Sequence, residues 1–252
     1  MKINLPVIII ALFACADLAM GQFIDDPARI KVDVPPYYNS KGPTINVGPF
    51  SNSLASKSEP EFVATISKMK QSWNNLKFTE MYVAAICLYD RGYRKEAVYW
   101  FYSAQYRGRL FGILIDREKM GGLGDPAFEL FHTQNAFYQL VGPYINGYAF
   151  GDIDYLMEVI ERVQKEGLNV PDLNKIYPGV LFKKTSEWKP ENKNLNQGMT
   201  SFLATLKEQK GTLKQQRIEG GIEAKFSKLT NKELATKLSE RSSANSLESS
   251  SP

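Results

Sequence analysis

The chain has 252 residues, of which 43% are hydrophobic, and its formal net charge at pH 7 is +4. This length and composition are enough for one sizeable core with appended arms. The basic residues are scattered along the chain instead of forming a block, so the charge pattern argues against a nucleic-acid partner.

The first 21 residues have the pattern of a secretion signal. Lys2 precedes a compact apolar run at 5–14, and Ala-Met-Gly at 19–21 fits a signal-peptidase site. Because the run is too short to span a bilayer comfortably, we predict a periplasmic or secreted protein cleaved near Gly21. One alternative stays open: the residues leading to Cys15 loosely match a bacterial lipobox, and lipidation of Cys15 would anchor the protein to a membrane.

Residues 22–57 are rich in Pro, Gly, Asn and Ser and predict an extended arm. Within the arm, Ile30, Val32 and Val34 alternate with polar residues, which favours a short strand or a strap across the body. The chain ends in a Ser-rich stretch at 242–252 that we expect to be disordered.

Three helices are predicted between the arm and the middle of the chain. Ser58 and Glu61 have the spacing of a capping box and predict the first helix start. Apolar residues then predict helices from about 78 to 90 and from about 94 to 108 or beyond. Gly92 lies in the short turn between them, as expected for a left-handed helix terminus. Four aromatic residues in succession at 99–102 place the last of these helices in the core.

The same stretch resembles a known family. Ala85, Gly92, Ala97, Phe101 and Ala104 have the spacing of a tetratricopeptide-type repeat, and GYRKEAVYWFYSAQYRG is similar to a Sel1-like repeat. The resemblance covers residues 81–109. It implies an all-α fold in which helical hairpins pack in a small array.

The second half of the chain is predicted to be helical with two interruptions. Asp125 and Asp152 are placed to cap helices, and Gly142-Pro143 is expected to break the first of them. A loop is expected from 168 to 196, followed by a polar helix at about 199–218 and a last short helix that begins near Thr230. The predicted plan is a helical core at 58–168, a packed loop at 169–196 and a polar helical extension at 197–241.

The sequence contains few candidates for catalysis. His132 is the single histidine, and Glu129 shares its helix face at a spacing of three residues. Asp152 is a third candidate, although helix capping explains its position. From these patterns we predict no catalytic, metal or cofactor residue and no cofactor. A periplasmic hydrolase acting on peptidoglycan through these three residues is kept as an alternative.

Protein binding is the leading functional hypothesis. Basic residues beside tyrosines suit an acidic protein partner. The candidate partner-binding residues are Arg91, Arg94, Gln105, Arg107, Arg109, His132, Gln134 and Asn135. We therefore expect an exported, non-catalytic protein-binding module, with an immunity protein that blocks a toxin as a concrete candidate. A structural or assembly component of the cell envelope is the second alternative.

Overall fold

The computed structural model describes residues 24–31 and 48–234 of the protein. Within these ranges the chain is mostly helical and has no β-strand, which confirms the predicted all-α class. The helices are α1 (Ser51–Leu54), α2 (Glu59–Gln71), α3 (Phe78–Asp90), α4 (Arg94–Leu114), α5 (Pro126–Ala149), α6 (Ile153–Glu166), α7 (Leu173–Ile176), α8 (Thr185–Glu219) and α9 (Ile222–Phe226), with 3-10 turns at Gly48–Phe50 and Trp73–Asn75. The predicted secretion signal, Val32, Val34 and the Ser-rich tail lie outside the described residues.

Side-chain caps set the beginnings of three helices at the predicted positions. Ser58 accepts a hydrogen bond from the Glu61 N–H at the start of α2. Asp125 accepts from the N–H groups of the first turn of α5, and Asp152 does the same for α6. Each cap satisfies a backbone donor that has no partner inside the helix, and it therefore fixes where the helix begins.

Helices α3 and α4 form an antiparallel pair joined by a short turn. Gly92 in this turn has a φ of +89°, a left-handed conformation that suits glycine. Ala84 and Ala85 are fully buried, and the rings of Tyr82 and Phe101 meet edge to face at 5.8 Å. Small residues thus let the two helices approach, and aromatic residues fill the remaining space.

Helix α4 is the centre of the fold. It packs against α3, α5, α6 and α8, and most of its side chains are buried. Trp100 has no exposed surface and packs edge to face on Trp73 at 4.8 Å, while its Nε1 donates to Glu96. Burial on nearly every face explains why four aromatic residues follow one another on this helix.

The predicted break at Gly142-Pro143 is wrong, because α5 continues through it to Ala149. A proline inside a helix removes one N–H donor, and the carbonyl that loses its partner belongs to Gln139, an exposed residue. Water can bond that carbonyl. Val141 and Ile145 on either side are fully buried, so packing holds the helix together across the proline.

The predicted loop at 168–196 is wrong from residue 185 onward, because α8 begins there and runs for 35 residues. Pro190 would deprive Ser186 of its helical partner, and Ser186 is exposed to solvent. Trp188 donates to the Lys183 carbonyl just before the helix, and Asn192 ties the first turns to the body by donating to the Gly167 carbonyl.

Two further differences concern the ends of the described chain. The arm contains the 3-10 turn and α1, whose Leu54 is buried, so its last part is helical instead of extended. The helix expected near Thr230 is absent at 231–234, and the unpredicted helix α9 lies before it. Both short helices form where apolar side chains reach the core: Leu54 from α1, and Ile222 and Phe226 from α9.

Candidate functional site

A groove of about 950 Å³ lies beside the C-terminal half of α4. The last turns of α4 and the residues that follow them form one wall, the first half of α5 forms the second, and residues 182–195 close the third side. We call it the α4–α5 groove. Its volume is in the range of sites that hold ligands or peptide segments.

Aromatic side chains supply much of its apolar surface. Phe131 and Tyr138 come from α5, and Phe182 precedes α8. Phe182 is fixed from the core side, with its ring 5.7 Å from the ring of Phe111 and 5.8 Å from that of Trp188. A wall that is anchored in this way is formed before any partner arrives.

A short backbone pairing holds the floor of the groove. Ile115 and Phe182 form an isolated antiparallel bridge. The Asp116 N–H donates to the Leu181 carbonyl at 2.9 Å, and the Lys183 N–H donates to the Leu114 carbonyl at 2.8 Å. These two bonds join the end of α4 to the segment that leads into α8.

Gln134 is the polar side chain set deepest in the groove. It is 8% exposed, and it has no hydrogen-bond partner in the described part of the chain. It lies against Gly108 of α4, where a Cβ atom would come within 2.5 Å of the Gln134 Cγ. Glycine at 108 therefore gives Gln134 the room that it occupies, and the close contact restricts where its amide can go.

The groove carries a positive balance of charge. Its lining includes five basic residues and three acidic ones, namely Arg109, Arg117, Lys119, Lys183, Lys184, Asp116, Glu118 and Glu187. Asp116 is paired with Lys119 at 2.7 Å, and Lys183 is paired with Glu191, which lies outside the lining. Arg109 has neither an ion pair nor a hydrogen bond with the described residues.

The structure brings together three of the predicted partner-binding residues. Arg109, Gln134 and Asn135 all line the groove. Gln105 is buried one helical turn before Arg109, outside the groove lining. His132 is exposed beside the groove, with its ring 4.4 Å from the ring of Phe128.

The other three predicted residues have internal contacts instead of forming an exposed basic surface. Arg91 pairs with Glu59 at 2.9 Å and lies over the Phe62 ring. Arg94 donates to two backbone carbonyls, one at Ala28 and one at Thr230.

Arg107, like Arg94, is buried. It is 7% exposed, donates to the Leu76 carbonyl at 2.7 Å, and has its pKa lowered by burial. A guanidinium group is able to bond several carbonyls at once, which accounts for these internal positions.

The residues of the hydrolase alternative make separate contacts. Glu129 accepts a hydrogen bond from the Gly124 N–H, and Asp152 caps α6. His132 contacts the rings of Phe128 and Phe131. Among the described residues, no group of three or more His, Cys, Asp or Glu side chains is placed to hold a metal ion.

Sequence reasoning did not identify Phe131, Tyr138, Phe182 or Arg117 as members of the site. Arg117 lies over the Phe131 ring, with 4.6 Å between its guanidinium carbon and the ring centre. Phe182 is far along the chain from the groove residues of α4 and α5 and joins them only through the fold, so no local pattern marks it. The apolar face of α5, which includes Phe131 and Tyr138, was the one available signal.

The chain matches no protein-family model, and no curated protein or solved structure is significantly similar to it. None of the described helices combines the length and the apolarity that crossing a membrane requires.

Proposed function

We propose that this protein is an exported, non-catalytic protein-binding module whose α4–α5 groove receives an acidic segment of a partner protein. The observation that carries the proposal is Arg109, an arginine without a partner among the described residues, at the edge of an aromatic-lined groove. Arginine and aromatic residues are enriched where protein interfaces have most of their binding energy.

The charge of the groove selects the partner. Basic lining residues outnumber acidic ones, and two of the basic residues are already paired. Of the three that have no ion pair with the described residues, Arg109 is half-buried whereas Arg117 and Lys184 are exposed, so the guanidinium of Arg109 has the most to gain from an incoming carboxylate. An acidic partner is favoured on approach as well as in the complex, because complementary charges raise the rate of association.

Export is the second part of the proposal, and it depends on the sequence. The apolar run and the cleavage pattern within the first 21 residues support release near Gly21. Lipidation at Cys15 is the alternative route to the same compartment. Binding to a toxin, as an immunity protein does, is one way in which such a module would act there.

The third part concerns ancestry. We propose that α3 and α4 are a degenerate tetratricopeptide or Sel1-like hairpin. The buried Ala85 and Ala97 and the left-handed Gly92 support this assignment, because they occupy the positions that the resemblance implies. The groove would then be formed by the second helix of the hairpin, α4, together with α5, which packs beside it.

Affinity capture with matched variants tests the binding proposal. The full-length protein, Arg109→Glu and Lys214→Glu would each be used to capture proteins from an extract of the cells that produce it, at about 0.15 M ionic strength. Lys214 is exposed on α8 and does not line the groove, so its variant makes the same charge change elsewhere.

We expect one stoichiometric acidic partner with the wild type and with Lys214→Glu, and at least a tenfold lower yield with Arg109→Glu. A partner recovered equally by all three proteins, or no partner with any of them, would refute binding through the groove. Circular dichroism of each variant checks that the fold is intact.

A further inference from the structure

The polar groups inside the α4–α5 groove are complementary to the hydrogen-bonding groups of a peptide backbone. Gln134 is more than nine-tenths buried, lines the groove and has no partner among the described residues. Its amide atoms are not among the fully enclosed polar atoms that lack partners, so they keep some accessible surface in a residue that lines the groove. A side-chain amide offers a donor and an acceptor in one plane, which matches the N–H and C=O of an extended chain.

Arg109 lines the same groove as this amide. Gly108, the residue against which Gln134 packs, directly precedes Arg109 on α4. A bound chain whose backbone meets Gln134 therefore has a side chain close to an unpaired guanidinium group. A carboxylate side chain matches a guanidinium, which can bind it with two parallel hydrogen bonds.

The bridge at the groove floor adds a free backbone edge. In the antiparallel pairing, the hydrogen bonds use the backbone groups of Leu181 and Lys183. The N–H and C=O of Phe182 then point to the opposite edge, since backbone groups alternate along an extended segment. They have no partner in the described chain, and Phe182 lines the groove. Extended peptides bind to such edges in many complexes.

We infer that the α4–α5 groove binds an extended acidic peptide segment, with its backbone on Gln134, a carboxylate on Arg109 and an apolar side chain among Phe131, Tyr138 and Phe182. This inference rests on the proposed function and specifies the part of the partner that the groove recognises. A helix would not fit this arrangement, because its backbone groups are already paired with one another.

Selected peptides provide the test. The probe is a pool of acetylated and amidated heptapeptides in which Glu alternates with Phe, Tyr, Leu or Val. Members retained by the full-length protein are labelled with fluorescein, and their affinity is measured by anisotropy. Each is also prepared with Gln in place of Glu, and with N-methyl groups on successive backbone nitrogens.

The variants separate the two recognition elements. Gln134→Met keeps the size of the side chain and removes its hydrogen bonds, while Arg109→Met removes the charge. We expect each variant to weaken binding at least tenfold with an unchanged urea midpoint. We also expect the Gln-substituted peptides to bind the wild type more weakly. N-methylation at one backbone position should weaken binding to the wild type and should not further weaken binding to Gln134→Met.

Other outcomes overturn the inference. The groove does not recognise a peptide backbone if no member of the pool binds. The same holds if neither N-methylation nor Gln134→Met changes the affinity. Competition by N-acetylglutamate as strong as that of the peptides would indicate a small carboxylate ligand. If an Arg109-dependent partner is captured and no peptide binds, the groove takes a folded acidic surface, and only the proposed function survives.

Discussion

Arg107 and Arg109 are two residues apart on α4, and residues with this spacing point to nearly opposite sides of a helix. Arg107 is buried and bonds the carbonyl of Leu76 at the end of the turn before α3. Arg109 faces the α4–α5 groove and has no partner among the described residues. One helix thus has an arginine that completes the fold on one side and an arginine available to a partner on the other.

The polar groups that surround Arg107 and Arg109 also differ. On the Arg107 side, the hydroxyls of Tyr106 and Tyr177 are bonded internally, to Asn192 and to the Phe78 N–H, while the Ser103 hydroxyl is fully enclosed and has no partner among the described residues. On the Arg109 side, Gln134 is buried without a partner among the described residues. Buried polar groups in folded proteins are normally paired, and Gln134 differs from Ser103 in lining the α4–α5 groove, where a bound partner could supply the missing hydrogen bonds.

The largest expected effect is on the interior side of α4. Trp100→Ala should lower the free energy of unfolding by about 3–5 kcal/mol, because a fully buried aromatic side chain leaves a cavity when it is truncated. Urea denaturation measures the loss. Leu123→Ala is the control, since Leu123 is 91% exposed and its truncation should have little effect. Equal stability of wild type and Trp100→Ala would show that α4 is not the core helix.

The second effect separates the two arginines directly. Arg107→Met should destabilise the protein by about 1–3 kcal/mol, because the carbonyl of Leu76 loses its buried donor. Arg109→Met should stay within about 0.5 kcal/mol of the wild type, as expected for a side chain without internal partners. The same urea titration compares the two variants. A similar loss for both would remove the distinction between a structural side and a binding side.

The third effect concerns the two terminal segments. Arg94 donates to the carbonyls of Ala28 and Thr230 and so ties 24–31 and 229–234 to the same turn. Arg94→Met should cost about 1 kcal/mol and speed hydrogen exchange in both segments, including the Ile30 N–H. Hydrogen exchange in α4 should become faster only as much as the loss of about 1 kcal/mol in global stability explains. Faster exchange in only one segment would mean that Arg94 does not hold both.

The smallest effect is on the dependence of stability on pH. Burial raises the pKa of Glu80, whose carboxylate accepts from the Lys77 N–H at 2.7 Å. The folded state therefore holds this proton more tightly than the unfolded state, and Glu80's contribution to stability falls as pH rises from about 4.5 through the raised pKa. Glu80→Gln keeps an acceptor for Lys77 and should flatten that fall. Urea midpoints are measured across this pH window for both proteins. If Glu80 does not cause the fall, the midpoint of Glu80→Gln will decrease with pH as steeply as that of the wild type.

The helices were predictable wherever a local signal decides them. Ser58, Asp125 and Asp152 cap helices because their side chains accept hydrogen bonds from N–H groups two or three residues later. A few consecutive residues are therefore enough to predict each cap. Pro143 and Pro190 misled the prediction because the cost of a proline depends on whether the orphaned carbonyl is exposed and whether neighbours are packed. Both conditions belong to the tertiary structure.

The site was less predictable for a related reason. On a helix that is apolar on most faces, the sequence does not show which polar residue faces a groove and which faces the core. Arg107 and Arg109 looked equivalent, yet only one lines the groove. Phe182 joins the site through the bridge with Ile115, a contact between distant parts of the chain. Gln134 was identified as a candidate, but its burial became visible only in the structure.

Photo-crosslinking from inside the groove tests directly whether a partner protein binds there. A photoreactive p-benzoylphenylalanine would replace Asn135, an exposed residue of the groove, and in a separate protein Lys214 on the distant part of α8. We expect a crosslink to one acidic protein from position 135, none from position 214, and loss of the crosslink when Arg109→Glu is added. A crosslink from 135 that persists with Arg109→Glu, or the same products from both positions, would contradict this expectation.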